Sequence, residues 1–138
     1  SNAPTTLANL MATCAELIGN NAPEFITADS YSILPILTGK ATIVKDQPAI
    51  INISSKGFFN IKKDNWKLIT KLGSGGFSAP VEISPKPGEP MGQLYNLATD
   101  ISEQHNVYDQ YPEKVKELTS LLEKIKSTPA NQKIKIQE

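Results

Sequence analysis

Apolar residues recur at helical spacing in two segments, one near each end of the chain. Residues 5–18 carry the first apolar stripe and residues 112–127 carry the second. Gly19 predicts the end of the first helix, and Pro112 occupies a favoured first helical position in the second. The first stripe comprises Leu7, Leu10, Met11, Cys14, Leu17 and Ile18, and the second comprises Val115, Leu118, Leu121, Leu122 and Ile125.

A third, shorter helix is predicted between these two. The segment ADSYSILPILTGK, residues 28–40, has a capping residue at its start and Gly39 near its end. Pro35 falls within its first turn or two, where proline is tolerated in a helix.

The centre of the chain predicts β-structure, because it is rich in β-branched and aromatic residues. Asp64 and Asn65 form a two-residue hairpin signal, and Trp66, Leu68 and Lys67 begin an alternation of apolar and polar positions. This alternation is typical of an antiparallel sheet with one buried face. The predicted strands are residues 48–54, 58–63, 66–72 and 93–97.

Three segments predict irregular structure. Residues 79–92 contain four prolines and two glycines, which favours an extended surface connection over a central strand. Residues 98–109 form a polar, turn-rich link. Residues 128–138 predict either a frayed tail or a short edge strand.

Composition narrows the classes of function. The 138 residues contain 14 acids and 14 bases, and every base is a lysine. The balanced charge provides no field for nucleic acid or a membrane surface, and the absence of arginine removes the usual bidentate anion clamp. A single cysteine, Cys14, excludes an internal disulfide and a thiolate metal cluster, and its place on the helical stripe predicts a small buried hydrophobe.

The start of the chain predicts a piece of a longer protein. Residues 1–3 (SNA) are typical of an expression-tag remnant, and no initiator methionine follows them. Nothing in the sequence predicts a signal peptide or an apolar run long enough to cross a bilayer.

The glycine-rich stretch GSGG at residues 73–76 is the first candidate for chemistry. A phosphate cradle requires such glycines to open a helix, so that amides and the helix dipole point at the anion. Here Phe77, Ser78 and Ala79 lead directly to Pro80, and no helix opens. Two interpretations remain, a plain flexible loop and a loop that borders a larger site.

The remaining polar residues do not form an active site. His105 is the only histidine and lies in a polar turn, which predicts a solvated surface residue. Asp100 and Glu103 flank the same turn, where local hydrogen bonds to backbone amides are expected. Five lysines make the sheet locally basic, as a solvated face or, less commonly, an anion-binding patch: Lys56, Lys62, Lys63, Lys67 and Lys71.

Four segments in this order resemble the C-terminal portion of the sulfatase family, the arylsulfatase-type members of the alkaline phosphatase superfamily. TTLANLMATCAELIG resembles a DL-x-PT-x-AEL-x-G helix, and ADSYSILPILTGK resembles DG-x-SL-x-P-x-L-x-G. FFNIKKDNWKLI with GSGGFSAP resembles an AIR-x-GDWKLI hairpin and its loop. QLYNLATDISEQHNVYDQ resembles LYDL-x-x-DP-x-E-x-x-NL and leads into the last helix. The departures are Lys62 for arginine, Asp64-Asn65 for Gly-Asp, Ile101 for proline and Val107 for leucine.

The resemblance implies an α+β fold, with a four-stranded antiparallel sheet packed against a C-terminal helix. It assigns residues 4–40 to the edge of the family's large domain, 41–127 to the C-terminal subdomain and 128–138 to a tail. If residues 4–40 belong with a missing domain, we expect their apolar surface to be exposed here, with self-association or partial mobility of the fragment.

For function, the resemblance implies a parent enzyme that hydrolyses sulfate esters, in the periplasm or outside the cell, on a sulfated small molecule or glycan. Such enzymes use a formylglycine nucleophile in a Cys/Ser-x-Pro-x-Arg motif and usually calcium. Cys14 is followed by Ala15-Glu16-Leu17, so it is not that nucleophile. No catalytic, cofactor or metal residue is therefore assigned here, and this piece alone is expected to be inactive.

The remaining assignment is a candidate rim of the substrate cleft. It comprises Lys67, Ser74, Gly75, Gly76, Phe77 and Ser78. The alternative is a free-standing binding or interaction module on the same α+β scaffold, which a Cys/Ser-x-Pro-x-Arg motif upstream in the parent reading frame would exclude.

Overall fold

The computed structural model describes residues 3–20, 23 and 28–129. They fall into two compact units. One consists of the described residues of Ser1–Ile50 and Ile125–Glu138, and the other is Ile51–Lys124. The interpretation of residues 130–138 as a frayed tail or an edge strand lies outside the described residues.

The predicted α+β fold class is confirmed. Each predicted helix and strand is present, and the strands are shorter than the sequence pattern indicates. The elements are α1 (Asn9–Leu17), α2 (Leu34–Leu37), β1 (Ile50–Ile53), β2 (Phe59–Lys63), β3 (Trp66–Ile69), β4 (Gln93–Asn96), a 3-10 turn (Tyr108–Gln110) and α3 (Pro112–Ser127). In the part of the chain that the structure describes, no helix has the length and hydropathy needed to cross a membrane.

The four strands form one antiparallel sheet in the order β1-β2-β3-β4. The hairpin between β2 and β3 places Lys63 opposite Trp66. Asp64, in its two-residue turn, has a φ of 52°, a left-handed conformation that aspartate tolerates. Leu68 of β3 then lies opposite Leu94 of β4.

The core of Ile51–Lys124 is formed by one face of the sheet and by α3. Six side chains of this unit are at most 1% exposed: Phe58, Ile61, Leu68, Leu94, Leu118 and Leu122. Burying each contributes about 1.5–3 kcal/mol before the entropic cost is subtracted. The start of α3 is also held to the hairpin, by a 2.9 Å ion pair from Lys63 Nζ to Glu117 Oε1.

Helix α1 packs through its polar side. Asn9 and Thr13 are buried, whereas Glu16, the other polar residue of the helix, is exposed. Asn9 Nδ2 donates to the Tyr31 carbonyl at 2.7 Å and to Gln47 Oε1 at 2.9 Å. The Thr13 hydroxyl accepts from the Ile33 amide at 3.0 Å. Hydrogen bonds therefore fasten α1 to the segments that follow it, and they satisfy the polar groups that this packing buries.

The apolar stripe of α1 points away from these contacts. Its large side chains are exposed by 50% (Leu10), 54% (Met11), 68% (Leu17) and 74% (Ile18), and Leu7 before the helix by 85%. The prediction that Cys14 is a buried hydrophobe is wrong, because Cys14 lies on this same exposed face. Helical periodicity locates an apolar stripe but does not show that the stripe faces the chain's own core.

Candidate functional site

The glycine-rich loop is closed by backbone hydrogen bonds. Leu72 and Ile83 form an antiparallel bridge at its base. Above the bridge, the Ser74 amide donates to the Pro80 carbonyl at 3.0 Å, and the Gly75 amide donates to the Val81 carbonyl at 2.8 Å. These hydrogen bonds therefore fix the backbone path of residues 72–83.

Side-chain and steric constraints fix the tip of the loop. The Ser74 hydroxyl donates to the Ser78 carbonyl and accepts from the Gly76 amide at 3.2 Å. Gly75 has a φ of 61°, and a Cβ added to it would lie 2.6 Å from Phe58 Cδ2. Only glycine combines this backbone conformation with so close an approach to a buried ring.

These hydrogen bonds also exclude the interpretation of the glycine-rich loop as an anion-binding cradle. An anion bound by a glycine-rich loop requires backbone N–H groups that point at it. The amides of Ser74, Gly75 and Gly76 instead donate to the carbonyls of Pro80 and Val81 and to the Ser74 hydroxyl. These three amides therefore close the loop itself and do not point at an anion.

The predicted rim residues divide into two groups in the structure. Residues 74–78 share the loop, and the Phe77 side chain at its tip is 100% exposed. Lys67 lies in β3 and is bonded elsewhere. Its Nζ makes hydrogen bonds of 2.7 and 2.8 Å to the two carboxylate oxygens of Glu103.

The Lys67–Glu103 pair joins two segments that carry the sequence resemblance. Both side chains are about a quarter to a third exposed, at 24% and 30%. Glu103 was expected to bond backbone amides, and the structure corrects this, because its carboxylate bonds the lysine instead. Its backbone has a φ of 55°, an uncommon conformation for glutamate, which the surrounding turn holds.

Asp100 holds the same turn from within. Its carboxylate accepts from the backbone amides of Gln104 at 3.0 Å and His105 at 2.8 Å, as predicted. These two bonds, first that from Gln104 and then that from His105, lower the pKa of Asp100. The His105 side chain is 82% exposed, in agreement with the prediction of a solvated residue.

Asn106 is a structural residue that the sequence reasoning missed. Its side-chain oxygen accepts from the Leu94 amide at 3.0 Å and from the Tyr108 amide at 3.1 Å. Its side-chain nitrogen donates to the Gly92 carbonyl at 3.0 Å. One amide side chain therefore satisfies the outer edge of β4, and its place in the LYDL-type motif was the available signal.

Tyr95 lies on the sheet face of Lys67, directly opposite it across the β3–β4 pair. Burial raises the pKa of its phenol, and the negative charges of Glu103 and Asp100 raise it further. The phenol therefore stays protonated at neutral pH and donates to Gln93 Oε1 at 2.7 Å. The Tyr95 hydroxyl is therefore hydrogen-bonded within β4.

The described residues contain no group of three or more His, Cys, Asp or Glu side chains that could hold a metal ion. A shallow groove of about 350 Å³ runs beside α3, lined in part by Tyr108, Pro112, Val115 and Thr119. The groove is also lined by Asp109 and Lys116, but both residues are exposed to solvent, which does not favour acid–base or nucleophilic chemistry. The glycine-rich loop therefore remains the candidate functional site.

Comparisons with known proteins show which proteins the chain is similar to. The chain is 31% identical over 130 residues to an N-acetylgalactosamine-6-O-sulfatase of Bacteroides thetaiotaomicron. It is 30% identical, with a TM-score of 0.68, to a Bacteroides thetaiotaomicron structure solved in work on the metabolism of multiple glycosaminoglycans. No family model matches the chain.

Two further structures share the fold. A protein solved in complex with D-glucosamine-2-N,6-O-disulfate as its substrate superposes with a TM-score of 0.59 at 20% identity. The protein Ps i-CgsB, in complex with a neocarrahexaose, superposes with a TM-score of 0.64 at 23% identity.

These matches cover a small part of each relative. The chain aligns over 86% of its own length but spans only 23% of the curated sulfatase, and 24% of the glycosaminoglycan-related structure. The resemblance to a C-terminal sulfatase portion is confirmed by sequence and fold together. The chain covers about a quarter of the length of these relatives.

The Lys67–Glu103 pair predicts a measurable contribution to stability. Replacing Glu103 with Gln removes one charge from a bidentate, partly buried pair, and we expect the free energy of unfolding in urea to fall by about 1 kcal/mol. The matched control is Glu82→Gln, whose partner Lys71 is 52% exposed and bonded through one oxygen, and it should cost less than about 0.5 kcal/mol. Equal losses in the two variants would contradict the role given to the pair.

Asp100 predicts a dependence of stability on pH. Because its pKa is lowered on folding, its charge stabilises the fold above the unfolded pKa of about 4, and this contribution is lost as the pH falls through the folded pKa. Asp100→Asn should therefore be less stable than the wild type at neutral pH, and thermal unfolding curves of the two should converge at about pH 2. A difference that stays constant between these pH values would show that the carboxylate charge is not the cause.

The glycine-rich loop predicts an asymmetry between neighbouring glycines. Gly75→Ala forces a Cβ into the Phe58 ring from a left-handed backbone, and we expect a loss of about 1–3 kcal/mol in unfolding free energy. Gly76→Ala meets no atom closer than 3.8 Å and should change stability by less than about 0.5 kcal/mol. Similar losses for both variants would mean that the tight packing of the loop does not persist in solution.

Proposed function

We propose that this chain is the non-catalytic C-terminal part of a sulfatase, a sulfuric ester hydrolase. In this role it completes the fold of the parent enzyme and contributes the glycine-rich loop to the rim of the substrate cleft. The partial coverage of sulfatase relatives supports the proposal, since the chain matches about a quarter of their length.

The outward apolar face of α1 carries the proposal. A helix at the surface of a self-contained domain turns its apolar stripe inward and its polar side to solvent. Helix α1 departs from this arrangement, because Asn9 and Thr13 are buried while the side chains of Leu10, Leu17 and the following Ile18 are 50–74% exposed. Continuous apolar surface of this kind is characteristic of a contact with another part of a protein.

We propose that the remainder of the parent polypeptide, including its catalytic domain, covers this face. Leu7, Leu10, Met11, Leu17 and Ile18 would then become core residues of the complete enzyme. Each would contribute about 1.5–3 kcal/mol when buried. In the isolated chain the same face would promote self-association.

The catalytic machinery belongs to that remainder of the parent. The formylglycine nucleophile and the calcium ion implied by the resemblance would lie there, since this sequence does not contain the Cys/Ser-x-Pro-x-Arg motif. The contribution of this chain is therefore structural, together with the placement of residues 74–78. By analogy with the relatives, the substrate would be a sulfated sugar, and the enzyme would be periplasmic or secreted.

Two preparations test the proposal, namely the parent protein and the isolated chain. The parent should release sulfate from N-acetylgalactosamine 6-O-sulfate or a related sulfated sugar, measured as free sulfate, and the isolated chain should release none. A parent that hydrolyses no sulfate ester, or whose reading frame lacks the Cys/Ser-x-Pro-x-Arg motif, would overturn the proposal.

The α1 contact is tested by the double variant Leu10→Ser, Leu17→Ser. In the isolated chain it should change the free energy of unfolding by less than about 0.5 kcal/mol and reduce self-association in light scattering. In the parent it should destabilise by about 3–5 kcal/mol, because both side chains would be buried there. The control is Glu16→Lys, which alters an exposed α1 position and should have little effect on either protein. Equal effects of the double variant on the parent and on the isolated chain would exclude an α1 contact.

A further inference from the structure

We infer that Phe77 is a sugar-stacking residue, whose ring receives the apolar face of a pyranose in a sulfated oligosaccharide. The inference rests on the proposed function and goes further, since it names one side chain and the part of the substrate that it contacts. The reacting sulfate ester would lie elsewhere in the cleft, so Phe77 would determine specificity without taking part in the chemistry.

The first observation is the contrast between the exposed ring and the fixed backbone that carries it. Phe77 is 100% exposed, whereas Phe58 beneath the loop is 1% exposed. The backbone on either side of Phe77 is fastened, because the Ser74 hydroxyl bonds the Gly76 amide and the Ser78 carbonyl. A ring carried on such a loop loses little backbone entropy when a ligand covers it.

The second observation is the chemistry of the neighbouring residues. Within the loop, Phe77 is flanked by Gly76 and Ser78, and Ser74 and Ala79 are the next residues outward. The other large apolar side chain that the loop exposes, Ile83, is 40% exposed and lies at the closing bridge, so Phe77 is the only one at the tip of the loop. Contacts between proteins bury clusters of large apolar side chains. A single aromatic ring among small and hydroxyl residues instead suits a sugar, which has one apolar face and hydroxyl groups around its edge.

The third observation is charge. Residues 54–78 contain five lysines and one acid, Asp64, and three of these lysines pair with acids elsewhere in the chain: Lys63 with Glu117, Lys67 with Glu103 and Lys71 with Glu82. Two of the five lysines lie at the base of the loop. The Lys56 amide donates to the Gly75 carbonyl at 3.2 Å, and Lys71 Nζ lies 5.0 Å from the centre of the Phe58 ring. Lys56, which is not among these paired lysines, places positive charge beside the loop, and this charge favours a sugar that carries sulfate groups over a neutral one.

The test compares a long and a short substrate in the parent enzyme. The long substrate is a hexasaccharide containing N-acetylgalactosamine 6-O-sulfate, and the short one is the monosaccharide N-acetylgalactosamine 6-O-sulfate. Phe77→Ala should raise KM for the hexasaccharide about tenfold with kcat within twofold, and it should leave both constants for the monosaccharide unchanged. Phe77→Tyr keeps a ring of the same shape and should restore the KM for the hexasaccharide.

A control variant and a binding assay separate the remaining outcomes. Ile101→Ala removes another exposed apolar side chain, 76% exposed in a different loop, and should change neither substrate. Titration calorimetry of the hexasaccharide with wild-type parent and Phe77→Ala should show about tenfold weaker binding for the variant, whether or not sulfate is released.

The results distinguish the two proposals. If the parent releases sulfate but Phe77→Ala matches the wild type on the hexasaccharide, the stacking inference fails and the sulfatase function stands. If the parent releases no sulfate but binds the hexasaccharide in a Phe77-dependent way, the function fails and the subsite stands. If Phe77→Ala lowers the melting temperature of the parent and impairs both substrates equally, Phe77 is a contact between parts of the protein, and the inference is overturned.

Discussion

The backbone that follows β4 forms no helix or strand, so its N–H and C=O groups need other hydrogen-bond partners. Residues 97–107 contain no helix or strand, yet they lie against the outermost strand of the sheet. Polar side chains supply what a further strand would otherwise provide. Asn106 bonds the β4 edge, Asp100 bonds the amides of the turn, and Glu103 reaches across to Lys67 in β3. These three side chains hold the turn against the sheet, together with backbone bonds from the Leu97 amide to the Asn65 carbonyl and from the Val107 amide to the Leu94 carbonyl.

This arrangement gives a physical reason for the motif through which the chain resembles sulfatases. In an LYDL-x-x-DP-x-E-x-x-NL pattern, the acidic and amide positions could be taken for parts of an active site. In this structure they correspond to Asp100, Glu103 and Asn106, and each bonds backbone or a lysine within the same unit. In this structure, these positions of the motif therefore hold the fold together.

Much of the fold was predictable, because local signals decided it. The Asp64-Asn65 turn, the Pro112 start of α3 and the alternation along β3 each agree with the structure. Periodicity could not predict which side of α1 faces the core, because an apolar stripe has the same period whether it is buried or exposed. Cys14 was misplaced for this reason. The role of Glu103 was missed because its partner Lys67 is 36 residues away, and pairing at that distance along the chain leaves no local pattern. For the candidate site, the sequence indicated the loop residues, but their hydrogen bonds and the exposure of Phe77 depend on packing against Phe58.

The glycine-rich loop also illustrates that composition and order are different properties of a sequence. Stretches of glycine and serine are commonly treated as spacers in which length alone matters. Here a Cβ at Gly73 would lie 2.7 Å from the Val81 carbonyl oxygen and one at Gly75 would enter the Phe58 ring, whereas Gly76 has room. A permuted stretch of identical composition would therefore fail to fit. Exchanging this loop between related proteins requires the residues beneath it to be transferred as well, with Ser54 and Phe58 as the minimum set.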